Sequence, residues 1–398
     1  MFKQFFQLYL DSYRGLSRPS WMLALIMLIN RSGAMVIPFL GIYMTQHLHF
    51  SLKETGTVLS CFGLGAVLGS LLGGWLTDRI GNFIVQVSSL FLSVPVFCLL
   101  PQLQTPGTLA VGVFVLSVVT ETFRPANSVS LVSYAKPENI TRAFSLNRMA
   151  INLGFSIGPA VGGFLASISY NWLFYGNAVT AGAAGIVFFF YFRALKSRER
   201  AVKKEEVSAL PEKSPWKDTP FLLFSLLCSV YAIIFFQILN TMPVFYRESH
   251  GLTEQEIGLL LAFNGMVVFL LEMILVHVAE KSMSTMRVIV YGTLLCAFSF
   301  FMLLVPGLWA LYFGMFLLSV SEILAMPFMS TVTMQRATPR KQGAYMGLNA
   351  MAFSIAHIAS PLLSTGMAAE AGYEALWITT GVASIALAAG FWLVMRKW

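Results

Sequence analysis

Residues 83–101 read FIVQVSSLFLSVPVFCLLP, nineteen positions without a charged side chain. A helix needs about 20 mostly apolar residues to cross the hydrocarbon of a bilayer, and this run is long enough. Strands of a membrane barrel would alternate over about ten residues instead, and the run does not alternate. Working outward, apolar runs recur between charged or Pro/Gly breaks along the whole chain. They fall at 21–46, 54–77, 83–101, 107–134, 142–167, 171–193, 219–246, 254–279, 286–305, 308–335, 342–368 and 374–395. Twelve spans result, numbered below in chain order.

The composition agrees with that count. The 398 residues are 57% hydrophobic and only 11% charged, with a mean hydropathy of +0.73. Soluble domains are near a quarter charged, so a soluble enzyme is excluded. The 34 Phe and 8 Trp exclude disorder, whose composition is the opposite. An integral membrane protein remains.

Its 26 Lys and Arg set the orientation. With the N-terminus in the cytoplasm, that side collects Lys3, Arg14, Arg18, Arg79, Lys136, Arg142, the run from Arg193 to Lys217, Lys281, Arg287, Arg336, Arg340, Lys341, Arg396 and Lys397. The other side collects Lys53 and Arg247. This is the positive-inside pattern. Both termini are therefore expected in the cytoplasm and the protein in the plasma membrane (the inner membrane of a bacterium). The net charge of +8 reads as topology charge beside anionic lipid, not as a nucleic-acid surface. The stretch from Phe2 to Leu16 reads as an in-plane interfacial helix rather than a cleavable signal. Cys61, Cys98, Cys228 and Cys296 all fall inside spans without metal-ligand spacing and read as packing residues.

Shifted by 202 residues, the chain meets itself. Glu54 lands on Glu256, Gly56 on Gly258, Leu59 on Leu261, Gly63 on Gly265 and Asp78-Arg79 on Glu280-Lys281. Pro125 lands on Pro327, Pro137 on Pro339, Asn147 on Asn349, Met149 on Met351 and Pro159 on Pro361. Three prolines, an Asn and an acid-base pair in one ungapped register indicate duplication. The expected organisation is a six-span half over 1–193, a mixed-charge cytoplasmic linker over 194–218 and a second six-span half over 219–398. Six is even, so the halves run parallel, a known transporter plan with its site near the midplane.

Two motifs sharpen this. After span 2 the chain reads GWLTDRIG from Gly74 to Gly81, with Asp78 and Arg79 at its centre. In span 5 it reads GFSIGPAVGG from Gly154 to Gly163, with Gly158, Pro159 and Gly162 inside. Together with twelve spans in two parallel halves, these resemble the major facilitator superfamily. The loop is similar to that family's Gly-x-Leu-x-Asp-Arg-x-Gly, although Asn82 and Phe83 replace the two basic residues that usually follow. The span 5 sequence looks like the Gly-Pro motif of its proton-driven exporters. The resemblance implies an all-α bundle, alternating access, a working monomer, and spans 1, 4, 7 and 10 around a central cavity. A weaker likeness is to proton-coupled peptide transporters. Arg31, Gly33 and YMTQHLHFS at 43–51 carry it, but Met27 and Asn30 replace the two carboxylates of that motif.

Ionisable groups inside a membrane are expensive and mark function by default. The arginines are Arg31, Arg124 and Arg148, all in the first half; the acids are Glu121, Glu272 and Glu322. Ser117, Glu121, Arg124 and Ser128 form one stripe on span 4, where Glu121 and Arg124 are spaced to pair. The stripe on span 10, Ser319, Glu322, Ser330 and Thr333, carries no cation. Glu322 is therefore expected to stand without a local arginine and to carry the coupling proton, with Glu272 and Glu121 as further candidates. A purely structural hydrogen-bonding role is the alternative. Arg31 and Arg124 are candidates for substrate contact, Arg148 for a gate or inter-helix tether. Gln237 and Thr241, four apart on span 7, Asn240 beside them, and Asn264 add polar groups to the cavity, with Phe235, Phe236 and Met242 as an apolar wall. His277 and His357 read as packing residues.

The sequence holds no phosphate-binding loop, metal-ligand pair or nucleophile elbow, so no cofactor, metal or nucleic-acid partner is expected. Asn139-Ile-Thr141 fits a glycosylation acceptor on the wrong side for use. The leading expectation is a proton-coupled exporter of small amphipathic molecules. The alternative is a proton-coupled importer of a zwitterion, such as a peptide, clamped by Arg31, Arg124 and Glu322.

Overall fold

The computed structural model describes residues 11, 13–202, 214–252 and 254–396, and among them every regular element is helical. Of the interfacial helix expected over 2–16 only residues 11 and 13–16 are described, and of the linker expected over 194–218 residues 203–213 lie outside the described residues, while 194–202 continue the helix Asn171–Val202. Eleven of the described helices are long and apolar enough to cross a membrane. The last, Gln342–Met395, has 54 residues, about 80 Å at 1.5 Å per residue and far more than one crossing needs. At Gly372 its backbone turns left-handed, φ 84°, a conformation glycine adopts without a Cβ clash. Beyond it the chain returns. Tyr345, at the start of span 11, packs on Phe221, and Phe391, at the end of span 12, packs on Phe224 one turn away. Divided at Gly372, the helix supplies spans 11 and 12.

Three spans break near their middles. Span 1 is Arg18–Ser32 followed by Val36–Ile42. The break exposes amide N–H groups that water cannot reach, and Asn177 of span 6 answers them. Its Oδ1 accepts from Met35 N at 3.1 Å and Val36 N at 3.3 Å. Span 4 is Pro106–Glu121 and Phe123–Tyr134, interrupted at Thr122. Span 7 is Thr219–Phe235, a tighter turn over Phe236–Ile238, and Thr241–His250. Span 10 runs unbroken over Leu308–Arg336 through Pro327.

One end of the bundle carries Lys136, Arg142, Lys281, Arg287, Arg340 and Lys341 near its helix termini and is termed the basic end. At the opposite end the connections between described elements are short, none longer than five residues. The first span there opens with a reciprocal cap: Ser51 Oγ accepts from Glu54 N, and Glu54 Oε2 accepts from Ser51 N at 2.9 Å. Just before span 7 at the basic end, Asp218 accepts two bonds from the Arg336 guanidinium, both 2.9 Å, and one from the Tyr345 hydroxyl at 2.9 Å. The Arg336 hydrogen bonds, helped by Tyr345, hold the Asp218 carboxyl below the usual carboxylate range.

The apolar core shows where the halves touch. The second half has its own cluster, built on Phe221, Phe224, Phe300, Phe328 and Trp377. The first half has two. One holds Leu40, Tyr43, Phe97 and Phe174 and stays within that half. The other joins Leu23, Phe144 and Phe188 to Met273, Met334 and Met346 of the second half. Unbranched thioether side chains fill an irregular seam well.

Candidate functional site

The halves meet through span 2 against span 11 and span 5 against spans 8 and 10. Gly74 and Gly343 touch backbone to backbone, since a Cβ on Gly74 would stand 2.4 Å from the Gly343 carbonyl oxygen. One turn on, Asp78 accepts from Gly343 N at 2.7 Å and Ala344 N at 2.9 Å, capping span 11 with a carboxylate where its dipole favours negative charge. On the other seam Arg142 lies 3.3 Å from Glu280 and Thr331 donates to Thr141 at 3.0 Å. Arg79 turns outward onto the Trp75 ring at 5.2 Å, and Gly81 ends span 2 with φ 88°.

Deeper in the second seam lies a cluster of charge. Arg148 of span 5 donates through Nε to Glu272 of span 8 at 2.8 Å and through a terminal nitrogen to Glu322 of span 10 at 3.0 Å. Its other terminal nitrogen meets the Met326 sulfur at 2.9 Å. Asn264 donates to Ser319 at 2.9 Å and Glu322 at 3.4 Å. Side-chain exposure is 0% for Glu272, 8% for Glu322 and 16% for Arg148, so the three sit away from water. One guanidinium from the first half thus serves two carboxylates of the second. With both acids ionised the trio carries one uncompensated negative charge, costly in a poorly hydrated interior.

This corrects the expectation that Glu322 stands free of arginine. Its own span carries no cation; the cation arrives from the other half, 174 positions earlier. Gln237 and Thr241 are corrected as cavity-facing partners. The tight turn at 236–238 abolishes the four-residue register. Gln237 instead donates to Thr380 of span 12 at 3.4 Å, and Thr241 shares a short hydrogen bond with Ser364. Asn240 bonds back to the Phe236 carbonyl at 3.0 Å. Phe235 and Met242 are buried in the second half's core, not in a cavity wall. Phe236 packs on His357 of the same half, ring centroids 3.7 Å apart, and His357 is exposed.

The first half holds a second charged group. Arg124 pairs with Glu121 at 3.0 Å across the break in span 4, and Arg31 lies against the Phe155 ring at 5.6 Å. The span 5 glycines pack on span 1 where it breaks. A Cβ on Gly154 would stand 2.6 Å from Arg31 Cβ, one on Gly158 3.2 Å from the Arg31 carbonyl and one on Gly162 3.1 Å from Met35 Cβ. Gly163 is looser, 3.6 Å from Phe39. Pro159 lies inside the span 5 helix.

A family model described as Major Facilitator Superfamily matches residues 21–361 and again 238–397. The uncharacterized MFS-type transporter YttB of Bacillus subtilis (strain 168) is 26% identical, over 88% of each chain. A Na(+), Li(+), K(+)/H(+) antiporter of Planococcus maritimus is 24% identical, over 91% of this chain and 92% of that one. Multidrug resistance protein 1 of Bacillus subtilis is 23% identical, over 83% and 84%. Among solved structures, a bacterial homologue of the iron transporter ferroportin in an outward-facing state superposes with a TM-score of 0.73 at 15% identity, covering 95% of this chain and all of that one. The human organic anion transporter MFSD10 (TETRAN) does so with a TM-score of 0.73 at 14% identity, covering 95% and 99%.

Proposed function

The chain belongs to the Major Facilitator Superfamily, a multi-pass membrane transporter and not an enzyme, and on that premise we propose that it exports small amphipathic molecules in exchange for protons. The observation that carries this reading is Arg148, which ties two carboxylates of one half to the other half. The basic end is the cytoplasmic one, and the seam described above is closed there. A proton arriving from the opposite side and taken up by Glu322 or Glu272 brings the trio to zero net charge and weakens its hold on Arg148. The halves then rock apart at the cytoplasmic end, the proton leaves inward, and a substrate from the cytoplasm takes its turn. The exporter-like Gly-Pro sequence of span 5 and the antiporter and multidrug relatives support this direction. Import of a zwitterion asks Arg31, Arg124 and Glu322 to face one ligand. In this state Glu322 is spent on Arg148 and Arg124 on Glu121, which favours export.

Inside-out vesicles with an acidic interior test the reading. A lipophilic cation added outside is expected to collapse the pH gradient with the intact protein and at least about tenfold more slowly with Glu322→Gln, consistent with losing an essential proton carrier. Equal collapse by both would remove Glu322 from the coupling path. Collapse by Na⁺ or K⁺ alone would make inorganic cations the substrates.

A further inference from the structure

The first half holds a cavity of about 80 Å³ beside the break in span 1, lined by Asn30, Arg31, Ser93, Thr120, Glu121 and Asn177 among others. Water-sized groups need roughly 10–15 Å³ of such space each, so the cavity has room for several. We infer that it is a binding site for a small monovalent anion, a halide or a carboxylate, separate from the trio at the seam.

Arg31 is the cation of this lining. Its Nε is buried without a hydrogen-bond partner, and Glu121, the acid within its electrostatic reach, is shared with Arg124. Its neighbour on one side is the aromatic Phe155, which offers no ionised acceptor. Glu121, the acid on the cavity wall, gives an oxygen to Arg124 at 3.0 Å. Arg31, Arg124 and Glu121 therefore sum to one positive charge, and a single negative charge balances them. His357, on the other half, also lies within electrostatic reach of the Glu121–Arg124 pair.

The hydroxyl protons of Ser93 and Thr120 are spent on the Leu90 and Leu116 carbonyls at 2.8 Å and 2.9 Å, so the donors that remain belong to Arg31 and Asn177. Asn177 has its oxygen occupied by Met35 N and Val36 N, so its NH₂ is what it has to offer a guest. Arg31 likewise has donors to offer, and donors facing a small, partly apolar space suit an anion. A divalent anion would overshoot the charge, and a large one the volume.

Thermal unfolding of the purified chain tests this without any gradient or transport, so its failure is distinct from failure of the coupling reading. Chloride and acetate, titrated at constant ionic strength, are expected to raise the melting temperature saturably by a few degrees, while sulfate and gluconate do not. Arg31→Gln removes the charge, and Ala34→Leu fills the cavity from a lining position while keeping the charge; each is expected to lose the shift. If one variant fails to fold, the other still decides. Benzoate distinguishes the sources. Competition with chloride assigns the site to a substrate's carboxylate, and absence of competition beside a chloride shift assigns it to a resident free anion. No saturable shift in the natural chain, or an undiminished shift in either variant, overturns the inference.

Discussion

Arg148 is the residue on which most depends, because it answers two acids at once. Charge counting ranks its variants. Glu272→Gln or Glu322→Gln leaves one acid to one base, and the fold is expected to hold. Arg148→Met leaves two buried carboxylates without a cation and is expected to cost about 3–5 kcal/mol. The triple variant Arg148→Met, Glu272→Gln, Glu322→Gln is expected to recover most of that loss. Melting temperatures of the four proteins check the order; an Arg148→Met protein as stable as the natural one would show that the trio does not carry the charges assigned here. At Asp218 the sign of the pH effect follows from its depressed carboxyl. Its contribution is whole above the unfolded value, about pH 3.9, and is lost as pH falls through the lower, folded value. The gap in melting temperature between the natural chain and Asp218→Asn is expected to be constant above about pH 5 and to shrink in stronger acid. Both acids of the seam were legible from sequence as expensive intramembrane charge. Their partner was not, because a helical stripe reports one span and Arg148 comes from another half.

At the scale of elements, the close approach of spans 2 and 11 is a backbone contact. No side chain can swing aside at Gly74, where a Cβ meets the Gly343 carbonyl at 2.4 Å. Gly74→Ala is therefore expected to push the basic end open and leave each half intact. In a background without the four native cysteines, a cysteine placed at Thr141 is expected to react several-fold faster with a membrane-impermeant thiol reagent from the cytoplasmic face. An unchanged rate would mean that the seam absorbs the methyl. The sequence showed the spans, because twenty apolar residues admit few other structures. It did not show the breaks in spans 1 and 7. Pro38 and Pro243 stand in the first turn after each break and deny the carbonyl four residues back its helical partner, a signal the apolar runs alone do not carry; Asn177, 142 positions away, stabilises the first. The misplacement of Gln237 and Thr241 follows from that missed break.

For the whole molecule, the repeat describes how the halves close. Under the shift of 202, Asp78 corresponds to Glu280, and Gly343 and Ala344 to Thr141 and Arg142. The acid at the end of span 2 therefore takes the start of span 11 as the acid at the end of span 8 takes the start of span 5. The charged groups depart from this symmetry. Glu272, Glu322 and Arg148 correspond to Ser70, Thr120 and Ala350, and Glu121 and Arg124 to Ile323 and Met326. The self-match thus extends to the frame and not to its charges; those of Arg148, Glu272 and Glu322 face one another across the seam of spans 5, 8 and 10. The frame was readable from internal self-comparison; the pairing of charges needed three dimensions. The short connections opposite the basic end have a consequence for anyone who wishes to recognise this protein from outside the cell. With no connection between described elements there longer than five residues and Gly372 alone serving as one of them, that face presents almost no epitope. An antibody fragment raised against it must bridge several of these turns at once, and so reads how the spans are arranged rather than any one loop.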